Sequence, residues 1–522
     1  MWQRLSLYDM RVIGHYLGML SLFFTVGLAV PFVTALIFGE TEPASRYLLA
    51  MGITLFVGSL LRFLRVRPGR LTRRQALIVT GLSWILFALY AAVPLSMATG
   101  QYANFGDALF EGVSGLTTTG ASTVIDLDHL SYADNMWRFM MHLIGGMGLV
   151  VVGMTFGLFG KGAGASLFAA EGRSEHVVPN VVESTKFIAR IAAVFILLST
   201  VIVSAVCMVL GIDPVRAVLQ ALWMSLSAFM TAGFVPMSEN IAYYHSFVLE
   251  CVLIIVMLTG TVNFALHYEI VRGRPSNFFR DMETRMGGAW LVIMVIVLTA
   301  SLALATKAGQ QAFSDLPTLL RRGLFMVVAA FSTTGFQNIS SEQLVGTLSS
   351  GAFLVLAILM AFGSTSGSTV GGIKLSRMVM AVKSVVYTVK NTIAPDSARV
   401  TVSYYHMGKH TVTPSLLNEA LTVTALYATT YVIGALVGIA HGCDATSAIF
   451  ESIAMASNGG LSAGIVSPDM PLTLEAFYIF EMWAGRLEFI TLLALFAQIG
   501  VSLVPHSLSD WWHRRAAARS DQ

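Results

Sequence analysis

Residues 329–340 read AAFSTTGFQNIS, with the apolar run LFMVVAAF leading into Ser332-Thr333-Thr334-Gly335 and another long apolar stretch beyond. In a soluble protein such a tract would be a surface turn. This chain is not composed like one. Of its 522 residues, 55% are hydrophobic and 12% charged, and the mean hydropathy is +0.72. Soluble domains carry about 25% charged residues. The composition implies an integral membrane protein, in which each helical span needs about 20 apolar residues. Ten spanning segments are expected, near 14–38, 46–64, 75–97, 136–158, 187–211, 243–268, 287–306, 347–393 (interrupted), 415–441 and 474–504. The opening MWQRLSLYDM lacks the pattern of a cleaved signal, so the first apolar run is read as a retained span.

Net charge is +3, too small to suggest nucleic acid as a partner. Cys207, Cys251 and Cys443 are far apart and offer neither a disulfide framework nor metal-ligand spacing. Arg and Lys concentrate on alternate connections: Arg62 to Arg74, Lys161 to Lys186, Arg272 to Arg285, Lys374 to Lys409, and Arg514 to Arg519. Such an excess marks cytoplasmic loops and places both termini inside.

The tract at 331–337 has three counterparts. LTTTGAS (116–122), FMTAGFV (229–235), FSTTGFQ (331–337) and ASNGGLS (456–462) align on Gly120, Gly233, Gly335 and Gly460. Ten residues before each glycine stands an aromatic: Phe110, Trp223, Phe325 and Phe450. The glycines are 113, 102 and 125 residues apart. This is a fourfold internal repeat of span, short helix, small-residue tract and span, with the first two spans outside it. The division is 1–71 for the N-terminal helices, then 72–160, 161–273, 274–394 and 395–522 for the four repeats. The fold class is an all-α membrane protein with four pseudo-repeats around a central pore.

Irregular backbone at membrane depth is tolerated only where it is buried in protein or lines a water-filled cavity. Glycine frees the backbone, small hydroxyl residues leave room for inward carbonyls, and a carbonyl ring can replace a cation's hydration shell. The four tracts therefore read as one ion filter; four re-entrant loops sealing a closed bundle are the alternative. Asp107, Asp213 and Asp444 stand near short-helix starts and read as caps. Glu111 and Glu451 follow the aromatic in the first and fourth repeats, either at a pore rim or behind the filter.

A second anomaly, AFGSTSGSTVGGIK (361–374), breaks the eighth span with glycines that hold a helix poorly. The spacing does not fit a phosphate loop, and an obstruction facing a cavity suits it better. The third anomaly is the last span, FYIFEMWAGRLEFITLLALFAQ (477–498), which carries Glu481, Arg486 and Glu488. Arg486 either holds the glycine loop through its carbonyls, presents positive charge to a passing cation, or pairs with one of the two glutamates. Gly153 and Gly157 in GGMGLVVVGMTFGLFG (145–160) suggest close helix packing. No metal-ligand pair or nucleophile–base arrangement suggests an enzyme.

Together GLTTTGA, SAF…AGF, FSTTGF, GSTSGSTVGGIK and GRLEF resemble the Trk/Ktr/HKT superfamily of potassium transporters, over nearly the whole chain. The two extra N-terminal spans make it more similar to the TrkH branch. The resemblance implies potassium uptake through a gated, channel-like pore in the bacterial inner membrane, with potassium as the transported ion and no cofactor in this chain. Coupling to H+ or Na+ is the alternative. The implied filter residues are Thr118, Thr119 and Gly120; Thr231, Ala232 and Gly233; Thr333, Thr334 and Gly335; and Asn458, Gly459 and Gly460. The implied gate is Gly363, Ser364, Thr365, Ser366, Gly367, Ser368, Thr369, Val370, Gly371 and Gly372, with Arg486 nearby. Implied partners are a second copy of the chain, a cytosolic ring of nucleotide-binding regulatory subunits of the TrkA or KtrA kind, and the bilayer. Two filter strands depart from the family pattern: Met230-Thr231-Ala232, where relatives often carry two asparagines, and Asn458-Gly459-Gly460, where a larger residue usually precedes the glycine. Sodium-permeable relatives often have serine at the first filter glycine, whereas Gly120 is intact.

Overall fold

The computed structural model describes residues 4–64, 71–148, 181–307, 316–341, 344, 350–363, 365–395 and 400–503. Regular structure there is helical apart from one antiparallel ribbon, Ser403–Tyr405 with Lys409–Thr411, paired Tyr404 to His410. Two helices, Leu7–Phe38 and Thr41–Arg62, form an N-terminal hairpin. Four units follow, each with an outer helix, a short pore helix, an extended tract and an inner helix. The outer helices are Arg73–Ser96, Val181–Val209, Met282–Lys307 and Pro414–Ala440. The pore helices are Phe105–Leu116, Pro214–Phe229, Leu316–Phe331 and Ala445–Ala456. Six described helices are long and apolar enough to cross a membrane, or eight spans if two bent pairs each count once.

The hairpin is fastened to the first unit at both ends. Asp9 closes a capping box with Ser6 and accepts from Gln75 (2.7 Å) and Arg74 (3.0 Å). At the other end the buried Arg46 meets Asp134 at 3.0 Å, and the Tyr47 hydroxyl donates to the same carboxylate at 2.7 Å. A buried ion pair with its lone pairs satisfied fixes register more than it adds stability.

The inner helices depart from the sequence expectation. The first runs Tyr132–Met147 and ends at the cap Gly148, with 149–158 of segment 136–158 outside the described residues. The second, expected over 243–268, is not one straight helix: Phe247–Thr261 and Phe264–Val271 meet at 99°. The third breaks as expected, into Ser350–Ala361 and Leu375–Ile393. The fourth is not continuous over 474–504: Leu472–Arg486 and Ile490–Leu503 are bent by 110°. There Glu488 (φ 56°) and Phe489 (φ 54°) lie in the left-handed region, and Arg377 bridges to Glu488.

Candidate filter and gate

The short helices start with caps that their sequences supply. Asn104 caps the first, with Asp107 completing the box; Asp213 and Asp444 cap the second and fourth. These carboxylates serve as caps, as their position suggested.

All four described pore helices end alike. The residue two before each glycine donates its amide to a carbonyl three residues back: Thr118 to Gly115, Thr231 to Ala228, Thr333 to Ala330 and Asn458 to Met455. The next amide reaches back five: Thr119 to Ser114, Ala232 to Ser227, Thr334 to Ala329 and Gly459 to Ala454. Thr118, Thr231, Thr333 and Asn458 carry left-handed φ of 57°, 50°, 47° and 52°. Threonine resists that conformation, which costs about 1–3 kcal/mol per residue and collects at functional sites. Its recurrence at one register position argues for a constraint shared by all four strands. The helix carboxyl ends, where partial negative charge gathers, all lead into the tracts.

The tracts close into a ring. A Cβ on Gly120 would lie 2.2 Å from the Ala232 oxygen, and one on Gly233 2.3 Å from that of Thr334. On Gly335 it would lie 2.8 Å from the Gly459 oxygen, and on Gly460 2.0 Å from that of Thr119. Each strand's glycine thus abuts the carbonyl of the next strand, and the fourth returns to the first. All four glycines have positive φ, which fixes the fourth register on Gly460; Gly459 does not share it. The side chains of Thr118, Thr119, Thr231, Ala232, Thr333, Thr334 and Asn458 are buried.

Glu111 and Glu451 lie behind the strands, both fully buried. Glu111 accepts from Thr123 N and Ser122 Oγ (both 3.1 Å) and from Arg138 Nε at 2.7 Å. Glu451 accepts from Ala463 N (2.8 Å) and Ser462 Oγ (2.9 Å). The same two backbone positions, three residues past the glycine, are therefore held by the same kind of carboxylate in two repeats.

The interrupted third inner helix lies against this ring. The Thr369 hydroxyl is 2.9 Å from that of Thr231, and Gly371 N donates to Thr333 Oγ1 at 3.1 Å. Thr369 also donates to the Gly260 carbonyl (3.1 Å), and Thr365 Oγ1 donates to that of Thr261. Gly363 packs on the Phe331 carbonyl, Ser368 Oγ donates to Thr365 O, and the Val370 carbonyl accepts from Lys374. Gly367 and Gly372 have positive φ. Ser364 lies outside the described residues. Arg486 Nη1 donates to the Thr369 carbonyl and to Thr118 Oγ1, both at 3.1 Å, and Nη2 donates to the Gly145 carbonyl. The three ionisable residues of the last span diverge: Glu481 accepts from Ser452 (2.7 Å) while Glu488 takes Arg377. Loop residues from Gly367 to Lys374, with Trp84 and Arg486, line a cavity of about 60 Å³.

Two features escaped the sequence reading, although one of their residues, Gly363, was already among the implied gate residues. Gly145, Gly260, Gly363 and Gly485 sit where each inner helix crosses the end of its pore helix. A Cβ there would lie 1.7 to 2.4 Å from the carbonyls of Leu116, Phe229, Phe331 and Ala456, each four residues before its filter glycine. Their recurrence 25 to 28 residues past that glycine was the available signal. The second is Glu283, fully buried, which accepts from Ser366 N (3.0 Å), Ser366 Oγ (2.9 Å) and Ser376 N (3.0 Å) and so grips both sides of the loop.

Fold and site together define a membrane transport protein built from four re-entrant repeats. Residues 44–502 match the family model described as TrkH, a cation transport protein, and the chain belongs to that family. It is a multi-pass membrane transporter and not an enzyme. It is 29% identical to the Trk system potassium uptake protein TrkH of Halomonas elongata, over 94% of this chain and 98% of that one. It is 26% identical to a cation transporter of Methanocaldococcus jannaschii over 95% and 97%. The crystal structure of the potassium transporter TrkH from Vibrio parahaemolyticus shares the fold, with a TM-score of 0.77 at 23% identity, over 95% of this chain and 99% of that one.

Proposed function

We propose that this chain is the pore-forming part of a potassium uptake system in a bacterial inner membrane, both termini cytoplasmic. Potassium passes through the ring formed by Thr118 to Gly120, Thr231 to Gly233, Thr333 to Gly335 and Asn458 to Gly460. The loop from Gly363 to Gly372, held by Arg486, is its gate. The repeat boundaries read from the sequence, a homodimer and a cytosolic nucleotide-binding ring belong to the same reading, which the naming of relatives as Trk system potassium uptake proteins supports.

The observation that carries the reading is the closed cycle of glycine-to-carbonyl approaches. Four backbone segments with the same strained torsions converge on one axis, where backbone oxygens replace an ion's water. Inward movement of a cation is driven by membrane potential, worth about 2.3 kcal/mol per charge per 100 mV. The test is flux through the purified chain in liposomes with K+ or Na+ as the sole gradient. Potassium flux well above sodium flux is expected. Equal fluxes would mean a pore with relaxed selectivity, and a reversal potential that follows the proton or sodium gradient would replace the channel with a coupled transporter.

A further inference from the structure

A second cavity, of about 110 Å³, lies behind the first filter strand. Its walls are Ile85, Ala88 and Leu89 of the first outer helix, Val113 of the first pore helix, and Ile479 of the fourth inner helix, with Trp84 at its inner end. Apart from the Thr117 hydroxyl and two indole nitrogens, the lining is apolar. That hydroxyl is already engaged, donating to the Val113 carbonyl and meeting Thr119 Oγ1, both at 2.8 Å. That leaves the N–H groups of Trp84 and Trp483 as the lining's unengaged donors, the low end of the two to four partners a buried water needs, whereas largely apolar cavities of about this size take up apolar molecules.

Ile85 and Leu89 are 40% and 41% exposed in the middle of a spanning helix. The cavity is therefore continuous with a face that the membrane's hydrocarbon must cover. Trp84, only 4% exposed, also lines the cavity beneath the filter, and its ring lies 5.8 Å from the Arg486 guanidinium carbon, within cation–π range. One indole separates a lipid-facing hollow from the ion path.

We infer that this cavity is a binding site for a phospholipid acyl chain, which enters between the first outer helix and the fourth inner helix and backs Trp84 against Arg486. The bound chain also abuts Thr117, whose hydroxyl steadies Thr119 in the ring. The site goes beyond the potassium reading, and its test involves no ion flux.

The full-length chain is placed in phosphatidylcholine vesicles containing a phosphatidylcholine with a diazirine midway along one acyl chain. Irradiation expels nitrogen, the carbene inserts into a neighbouring bond, and adducts are mapped by mass spectrometry. Adducts are expected on Trp84 as well as on lipid-facing Val201, which is 67% exposed. Val113→Phe puts a ring into the cavity and is expected to lower the Trp84 yield about tenfold while Val201 stays constant. Ala88→Leu fills the same space more gently and serves if Val113→Phe fails to fold. Labelling of Val201 without Trp84 overturns the proposal. So does a Trp84 yield unchanged by a folded filling variant, because the label then arrives by another route.

Discussion

Arg486 and Thr118 are 368 positions apart in the chain, yet a guanidinium nitrogen of one lies 3.1 Å from the hydroxyl of the other. The same nitrogen holds the Thr369 carbonyl. One side chain therefore joins the first of the four strands to the loop that interrupts the third inner helix. A planar fork with several donors can do this, whereas a single ammonium cannot reproduce the geometry.

Arg486→Gln removes charge-assisted hydrogen bonds worth about 1.5–3 kcal/mol each. Loss of about 1.4 kcal/mol from the closed loop raises its open fraction about tenfold. Basal potassium flux in liposomes without any partner is expected to rise by about that factor, and Arg486→Lys to give an intermediate rise. Unchanged flux in Arg486→Gln would show that the loop does not obstruct the path.

The fourth strand offers a test of register. Gly460 has φ 61° and faces the Thr119 oxygen, while Gly459 faces the flexible side chain of Met360. Gly460→Ala forces backbone against backbone and is expected to abolish flux. Gly459→Ala needs only Met360 to move and is expected to keep most of it. The reverse pattern would move the ring by one residue.

The proposed selectivity is tested at the first strand. Gly120→Ser puts a side chain where Ala232 O and the Gly233 Cα already lie within 2.5 Å, at a φ of 85°. The ring must widen locally, and a wider ring discriminates less between K+ and Na+. The ratio of K+ to Na+ flux is expected to fall, and an unchanged ratio would remove Gly120 from the selective site.

The four tracts were legible because their register lies in the sequence: a glycine, a small polar residue two before it, and an aromatic ten before it. Phe110, Trp223, Phe325 and Phe450 are all buried. The caps Asp213 and Asp444 were legible for the same local reason. The bends of the second and fourth inner helices were not. Residues 258–267, LTGTVNFALH, hold no proline, and their local cues, Gly260 and the helix cap Asn263, sit inside an otherwise spanning-length segment. Asn263 caps the second half-helix, and contacts from outside the segment complete the break: Gly260 meets the Phe229 carbonyl and Phe264 N donates to Gly367 O. The places of Glu111 and Glu451 depended on long-range partners such as Arg138, which no spacing rule supplies.

Glu111 and Arg138 are both completely buried and 2.7 Å apart. Glu111→Gln leaves the guanidinium without its countercharge, and breaking such a pair costs about 3–5 kcal/mol. Glu451→Gln keeps a carbonyl oxygen for Ala463 N, and its amide can donate to Ser462 Oγ once that hydroxyl turns, so it is expected to be milder. Thermal unfolding in detergent should therefore show a clearly larger loss for Glu111→Gln than for Glu451→Gln. Equal losses would mean that Arg138, which also donates to the Val235 carbonyl and stacks 4.2 Å above the Phe234 ring, is satisfied without Glu111.

Glu283 gives the loop a second anchor, at Ser366 and Ser376, whereas Arg486 holds Thr369. Ser366 and Ser376 both donate to the same carboxylate oxygen, so glutamine keeps the shape and that acceptor but loses the charge that strengthens each of these bonds. Glu283→Gln is expected to raise basal potassium flux. Because both anchors act on one loop, the combined effect with Arg486→Gln should fall short of the product of the single effects. The same helix start carries Asp281, whose Oδ1 lies 2.7 Å from His406 Nδ1 on the turn of the ribbon. The ribbon thus reaches the loop through one further contact, and His406→Ala should raise flux less than Glu283→Gln does. If His406→Ala has the larger effect, the ribbon acts on the loop by a route other than Glu283, and the anchor belongs to the fold alone.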